Sequence, residues 1–249
     1  MTEVYGAASE KASGGSRRPD PEIRSYESSD ELVASVVQLV LERIRIGLSL
    51  RNVFHLALTG GTTGTLITEQ LIAIWNHAPA EFTGLHIWWG DERFVPEVSE
   101  ERNARLVNQY LRSQGAIHVH EAPSSDMTMD LDAAAIEYWA AVSAIAMDLT
   151  LLGVGPDGHV ASLFPDQWNA SETSDVIAVR DSPKPPPSRL TFSMSKINAS
   201  ESVWLLAAGE NKRLAVIEIF ARDKVVPASF VHGRHETLLF LDDAANPNH

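Results

Sequence analysis

The sequence predicts an α/β fold with three layers: a mostly parallel sheet, helices on both faces, and a small β-rich addition. Three observations predict it. Short apolar runs alternate with segments whose apolar residues recur at helical spacing, the mark of right-handed βαβ units. The run Leu149 to Val154 is apolar throughout and bounded by glycine, as in a strand buried on both faces. Gly-rich or charged loops follow several of the strands, where open α/β sheets bind ligands.

The elements follow in order. Residues 1–20 hold few large apolar groups, end in Arg17-Arg18-Pro19-Asp20, and read as a disordered leader before one domain spanning 21–249. Ser29-Asp30 is placed to cap a helix carrying Leu32, Val36, Leu39, Val40 and Ile44. Val53 to Leu58 reads as a strand, Leu66 to Trp75 as a helix and Leu85 to Trp89 as a strand. Asn103 to Leu111 reads as a helix, Ile117 to His120 as a strand, and Leu131 to Ala146 as an Ala-rich helix. Beyond the buried strand at 149–154, Val176 to Met194 forms the β-rich addition. Val203 to Ala208 and Leu238 to Leu241 are strands separated by a helix from Asn211 to Phe220. No internal repeat is present.

Composition narrows the function. A formal charge of −13 disfavours nucleic acid and anionic membranes as partners, since both are held by Lys and Arg. It leaves room for a small anion focused in one basic cleft. The chain has no cysteine, hence no disulfide, no thiolate nucleophile and no Cys-ligated metal. No apolar run reaches the roughly 18 residues of a spanning helix, and the first residues lack the apolar core of a signal peptide. The expectation is a cytoplasmic location and a monomer or weak homodimer.

Three loops carry candidate chemistry. Thr59-Gly60-Gly61-Thr62-Thr63-Gly64 joins a strand to a helix; paired glycines allow close backbone approach to an oxyanion, and the helix start offers unpaired N–H groups. The same pattern also occurs as a plain tight turn. Gly90-Asp91-Glu92-Arg93-Phe94-Val95-Pro96 puts an arginine fork among acids that orient it, although charge clusters are commonly only solvated corners. Gly153-Val154-Gly155-Pro156-Asp157-Gly158-His159 matches the dinucleotide fingerprint in its glycines. That fingerprint needs a long helix, and Pro165 leaves room for about two turns at most. A dehydrogenase is therefore disfavoured. His159 after this turn is a candidate general base with Asp157 as its orienting partner. His118 and His120 share a strand face, but no third metal ligand is evident, and His232 and His235 sit in a polar loop. Neither G-x-S-x-G nor H-E-x-x-H occurs, so serine-hydrolase and zincin mechanisms lose their usual signatures. Metal binding is the minority reading of these histidines, and no cofactor is expected.

Taken together, these loops resemble the 6-phosphogluconolactonase family over about residues 24 to 245. Thr59 to Thr63 is similar to its Ser-Gly-Gly-Ser-Thr turn, and Gly90 to Pro96 to its most distinctive segment. Leu152 to His159 with Ala161 to Pro165 resembles its catalytic loop. Asp181-Ser182-Pro183-Lys184-Pro185-Pro186-Pro187-Ser188-Arg189-Leu190-Thr191 resembles its proline-rich segment, and Gly209-Glu210-Asn211-Lys212 its late Gly-x-x-Lys turn. The resemblance implies a sugar-phosphate isomerase/deaminase-like fold and metal-independent hydrolysis of a phosphorylated sugar lactone in the pentose phosphate pathway. It makes His159 the base that activates water, with Asp157 beside it. It makes Gly60, Gly61, Thr62, Asp91, Arg93, Arg189 and Lys212 the groups that hold substrate and phosphate. Gly64, Arg102, Val160 and Asp166 depart from the family's usual Pro, Ser, Thr and Gly. The alternatives are a glucosamine-6-phosphate deaminase or isomerase, whose loop runs on as Asn-Glu-Pro where this chain has Ser162-Leu163-Phe164-Pro165, and a non-catalytic sugar-phosphate sensor.

Overall fold

The computed structural model describes residues 20–112, 115–127, 130–221 and 226–249. The expected leader at 1–20 lies outside them except for Asp20. A seven-stranded sheet forms the centre, built from β1 (Glu22–Tyr26), β2 (Phe54–Leu58), β3 (Leu85–Trp89), β5 (Ile117–Val119), β6 (Leu149–Gly153), β9 (Ser202–Ala207) and β10 (Glu236–Asp242). The order is β1-β10-β9-β6-β2-β3-β5, and every pairing is parallel. A second, antiparallel sheet runs β4 (Asp91–Arg93), β8 (Arg189–Phe192), β7 (Val176–Val179). It is the expected β-rich addition, extended by a strand drawn from the charged loop.

Strand alternation divides the core in two. Leu56, Leu58, Ile87, Trp89, Trp204, Leu206 and Phe240 face one side, where α1 (Ser29–Arg51), α2 (Gly61–His77) and α3 (Arg105–Tyr110) cover them. Ala57, Trp88, Leu152, Leu205, Leu239 and Leu241 face the other, against α4 (Leu131–Val142), α5 (Met194–Asn198), α6 (Arg213–Ala221) and the small sheet. Successive residues serve opposite faces, so the strands read as continuous apolar runs.

Local chemistry sets the element ends. Ser28, rather than Ser29 or Asp30, caps α1 by accepting from Glu31 N at 3.2 Å. At the other end Asn52 takes the left-handed conformation at φ 59° and its N–H reaches Leu48 O. The expected helix at 103–111 starts only at Arg105, because the N–H groups of Asn103 and Ala104 go to the Glu92 carboxylate. The helix expected to reach Ala146 stops at Val142. There the Lys196 ammonium takes the carbonyls of Val142 (2.6 Å) and Ile145 (2.7 Å). Residues 210–212 form a 3-10 turn ahead of α6. β1 was not expected; its residues are largely exposed and its sequence, Glu-Ile-Arg-Ser-Tyr, carries little apolar signal.

Histidines line part of the second face. His55, His86 and His118 are register partners across β2, β3 and β5, with His120 next along. His86 stacks on His118 at 4.4 Å and bonds His120 through its Nδ1 at 2.8 Å. Trp88 stacks on His120 at 4.0 Å and donates its indole N–H to His55 Nδ1 at 3.1 Å. An indole only donates, so His55 must be unprotonated at Nδ1. Among the described residues, no three His, Cys, Asp or Glu are arranged to hold a metal ion. Desolvation, then the neighbouring histidines, depress His86 to about 4, and burial also lowers His55 and His120. The unfolded chain thus binds more protons than the native one between about pH 6.5 and pH 4. Stability contributed by the neutral ladder is complete above that window and lost as pH falls through it. The urea midpoint is expected to drop from pH 7 to pH 4.5, and more shallowly in His86→Gln; equal slopes in both proteins would remove the ladder from the acid response.

Candidate active site

The sheet changes direction of winding between β2 and β6, and the C-terminal ends of these strands open a crevice there. Gly153 N–H donates to Thr59 Oγ1 across it at 3.2 Å. The crevice is a cavity of about 500 Å³. Gly60, Gly61, Thr62, Asp91, Arg93, His159, Arg189 and Lys212 all line it, so eight of the nine residues singled out in the sequence meet in one place. Asp157 does not line it but hydrogen-bonds the His159 ring.

The first wall is the turn into α2. Gly60 is the cap of that helix, with no side-chain acceptor for its first N–H groups and no acid in its first turn. The helix start is thereby left open to an anion. A Cβ at Gly60 would lie 2.1 Å from Asn103 Oδ1, so a side chain there must displace the Asn103 amide from its place beside Asp91 O. Gly61 has φ +76°, a conformation that favours glycine.

The second wall is β4. Glu92 is buried and accepts from the N–H groups of Arg93 (2.7 Å), Asn103 (2.7 Å) and Ala104 (2.9 Å). Burial pushes its carboxyl up, against the pull of Arg102 and these donors. Arg102 lies under this network, 3.9 Å from Glu92 and 3.3 Å from Glu121, and donates to Ala122 O. Asn103 in turn donates its side-chain Nδ2–H to Asp91 O at 2.8 Å. Asp91 accepts from Ser162 Oγ at 2.7 Å and lies 3.8 Å from Arg189. Arg93 reaches Glu101 O at 2.6 Å, and its Nε has no hydrogen-bond partner among the described residues.

The third wall is the loop after β6. No helix follows His159; the chain turns through Ala161 at φ 51° and isolated bridges join Val160 to Val154 and to Leu163. That agrees with rejecting a dinucleotide site. The His159 ring lies against Phe164 at 4.7 Å, and its Nδ1 bonds Asp157 Oδ1. Burial lowers the imidazole below the usual histidine range; Asp157 opposes this and Lys184 adds to it. Burial raises Asp157, but the hydrogen bond and charge of His159 outweigh it and hold the carboxyl low. Gly155 is needed for this pair, since a Cβ there would sit 1.9 Å from His159 Nδ1. The last wall is the turn before α6, where both oxygens of buried Asp242 take Gly209 N–H at 3.0 and 2.9 Å and so set Lys212.

Several contributors were missed in the sequence. Asp242 ends β10 and reads as an ordinary strand terminus. Asn103 and Ser162 matter only through cross-loop bonds. Lys184 lies within the proline-rich segment, but nothing local distinguishes it from a solvated lysine.

Comparison with known proteins agrees with this geometry. A model of the family described as glucosamine-6-phosphate isomerases/6-phosphogluconolactonase matches residues 27–240. The chain is 39% identical over 240 residues to a 6-phosphogluconolactonase of Mycobacterium tuberculosis, covering 90% of this chain and 96% of that one. It is 33% identical over 236 residues to the 6-phosphogluconolactonase of Homo sapiens, covering 90% and 92%. The crystal structure of 6-phosphogluconolactonase from Thermotoga maritima superposes with a TM-score of 0.78 at 29% identity, over 90% of this chain and all of the other. With matched segments that include β2, the β4 loop and the loop after β6, the chain belongs to the glucosamine-6-phosphate isomerase/6-phosphogluconolactonase family.

Proposed function

We propose that this chain hydrolyses 6-phospho-D-glucono-1,5-lactone to 6-phospho-D-gluconate without a metal, with His159 as general base. The observation that carries the reading is the His159–Asp157 pair, set in the wall of a cavity that also presents Arg93, Lys212 and the open start of α2. Asp157 accepts a hydrogen bond from Nδ1–H and leaves Nε2 as the basic nitrogen. Because burial keeps the ring neutral at pH 7, it is ready to accept a proton. His159 takes a proton from water as the water oxygen bonds C1. Cationic and N–H donors in the cavity stabilise the oxyanion. The C1–O5 bond then breaks, and the imidazolium returns its proton to the departing ring oxygen. Asp157 steadies the transient imidazolium. A δ-lactone is an activated ester, so no step requires a Lewis acid.

The deaminase reading is not favoured, since the relatives reported above are 6-phosphogluconolactonases and the loop after His159 continues Ser162-Leu163-Phe164-Pro165.

Freshly made lactone should be opened faster than its spontaneous rate, read as NADP reduction by the next enzyme of the pathway. Ammonia release from glucosamine 6-phosphate, or ligand binding without turnover, would overturn the reading. His159→Ala is expected to lower kcat by roughly 10²–10⁴-fold with little change in the thermal midpoint; near-normal turnover would reassign the base. The acid limb of kcat/KM should fall below the ordinary histidine value of about 6.5, and Asp157→Asn should move it lower still, because the carboxylate raises the ring. Gly155→Ala should depress kcat by displacing the imidazole, measured beside an unchanged far-ultraviolet circular dichroism spectrum.

A further inference from the structure

Arg189, expected from the resemblance to touch the substrate, spends its donors on protein. Its Nε donates to Pro186 O at 3.1 Å, and its Nη2 to Lys184 O and Pro185 O, both at 3.0 Å. Its Nη1 meets Ser162 Oγ at 3.5 Å and Asp91 at 3.8 Å, and the side chain is 6% exposed. The three carbonyls it grips are consecutive. Ser182 Oγ donates to Lys184 O at 2.9 Å as well. The backbone of Lys184 is therefore fixed at the cavity rim, while its ammonium has no hydrogen bond or ion pair among the described residues.

Lys184 and Lys212 line the same cavity as His159. Burial, then the charge of Lys184, holds Lys212 below the usual lysine range. Two ammonium groups close enough to repel each other carry a cost that a dianion between them removes. A phosphate monoester is such a dianion near neutral pH. In a 1,5-lactone, C1 and C5 flank the ring oxygen, so a phosphate on C6 lies close to the reacting carbonyl. Cations that share the cavity wall with the base suit that compact geometry.

We infer that Lys184 contacts the phosphate of the substrate opposite Lys212 and sets specificity for phosphorylated lactones, and that Arg189 is a positioning residue acting through Lys184. The identity of the phosphate ester rests on the lactonase reading; the cation arrangement does not. Lys184→Met, a change at an exposed side chain, is expected to raise KM for the phosphorylated lactone. Its preference for that lactone over unphosphorylated D-glucono-1,5-lactone should fall about tenfold or more, the scale of one lost charge-assisted hydrogen bond. Lys184→Arg should restore most of the preference. Arg189→Lys keeps a charge but cannot hold three carbonyls, so it should show the same loss, and Lys184→Met with Arg189→Lys should be no worse than Lys184→Met alone. A preference within twofold of the parent in Lys184→Met would overturn the contact; additive losses in the double variant would overturn the positioning role. Calorimetric binding of 6-phosphogluconate needs no turnover. If the parent binds it but fails to open the lactone, the lactonase reading falls while weaker binding by Lys184→Met still supports the contact, and equal binding by both removes it.

Discussion

A single buried carboxylate ties the loops around the cavity together. Glu92 leaves the main sheet just after β3 and takes three backbone N–H groups, two of them from the segment that enters α3. A carboxylate in the interior is tolerable only when its lone pairs are used, and here two of the bonds pin the segment that enters α3 to β4. Asn103 is thereby pressed under Gly60 and returns a bond to Asp91 O. Asp91 in turn engages Ser162, next to the His159 loop, and lies beside Arg189, which grips the proline-rich segment. One polar chain runs from the sheet to four loops.

That organisation explains why an acidic protein can present a cationic cleft. Many of its acids lie on the surface or in ion pairs such as Arg45–Glu81 and Arg180–Asp132. The acids at the cavity are committed: Glu92 to backbone N–H groups, Asp91 to Ser162, Asp157 to the imidazole and Asp242 to Gly209. Arg93, Lys184 and Lys212 remain to face whatever enters. The field inside the crevice is thus set by local pairing and not by the net charge of −13.

The histidine ladder and His159 show one residue type in two environments. Both are held neutral by burial. The ladder lies toward the start of β2 and β3, where its rings pair with one another and with Trp88. His159 lies beyond the end of β6, where its partner is an anion. A ring bonded to other rings resists protonation; a ring bonded to a carboxylate can accept a proton and keep it briefly.

The sequence by itself determined the alternation of strands and helices from α1 onward and the two-sided burial of the central strands, and it singled out His159, Asp157, Arg93 and the Gly60-Gly61 turn, which gather at one cavity. Those features are written in local period, turn residues and ordered motifs, which need no knowledge of distant neighbours. Tertiary structure alone decided the strand order, the pairing of β4 with β8, the edge strand β1, and the ladder formed when His55 and His86 align with His118. It also decided that Arg189 turns its fork toward backbone carbonyls and that Lys184 lines the cavity. Each of these depends on contacts between residues far apart in the chain, and side-chain chemistry does not state which partner a donor will meet.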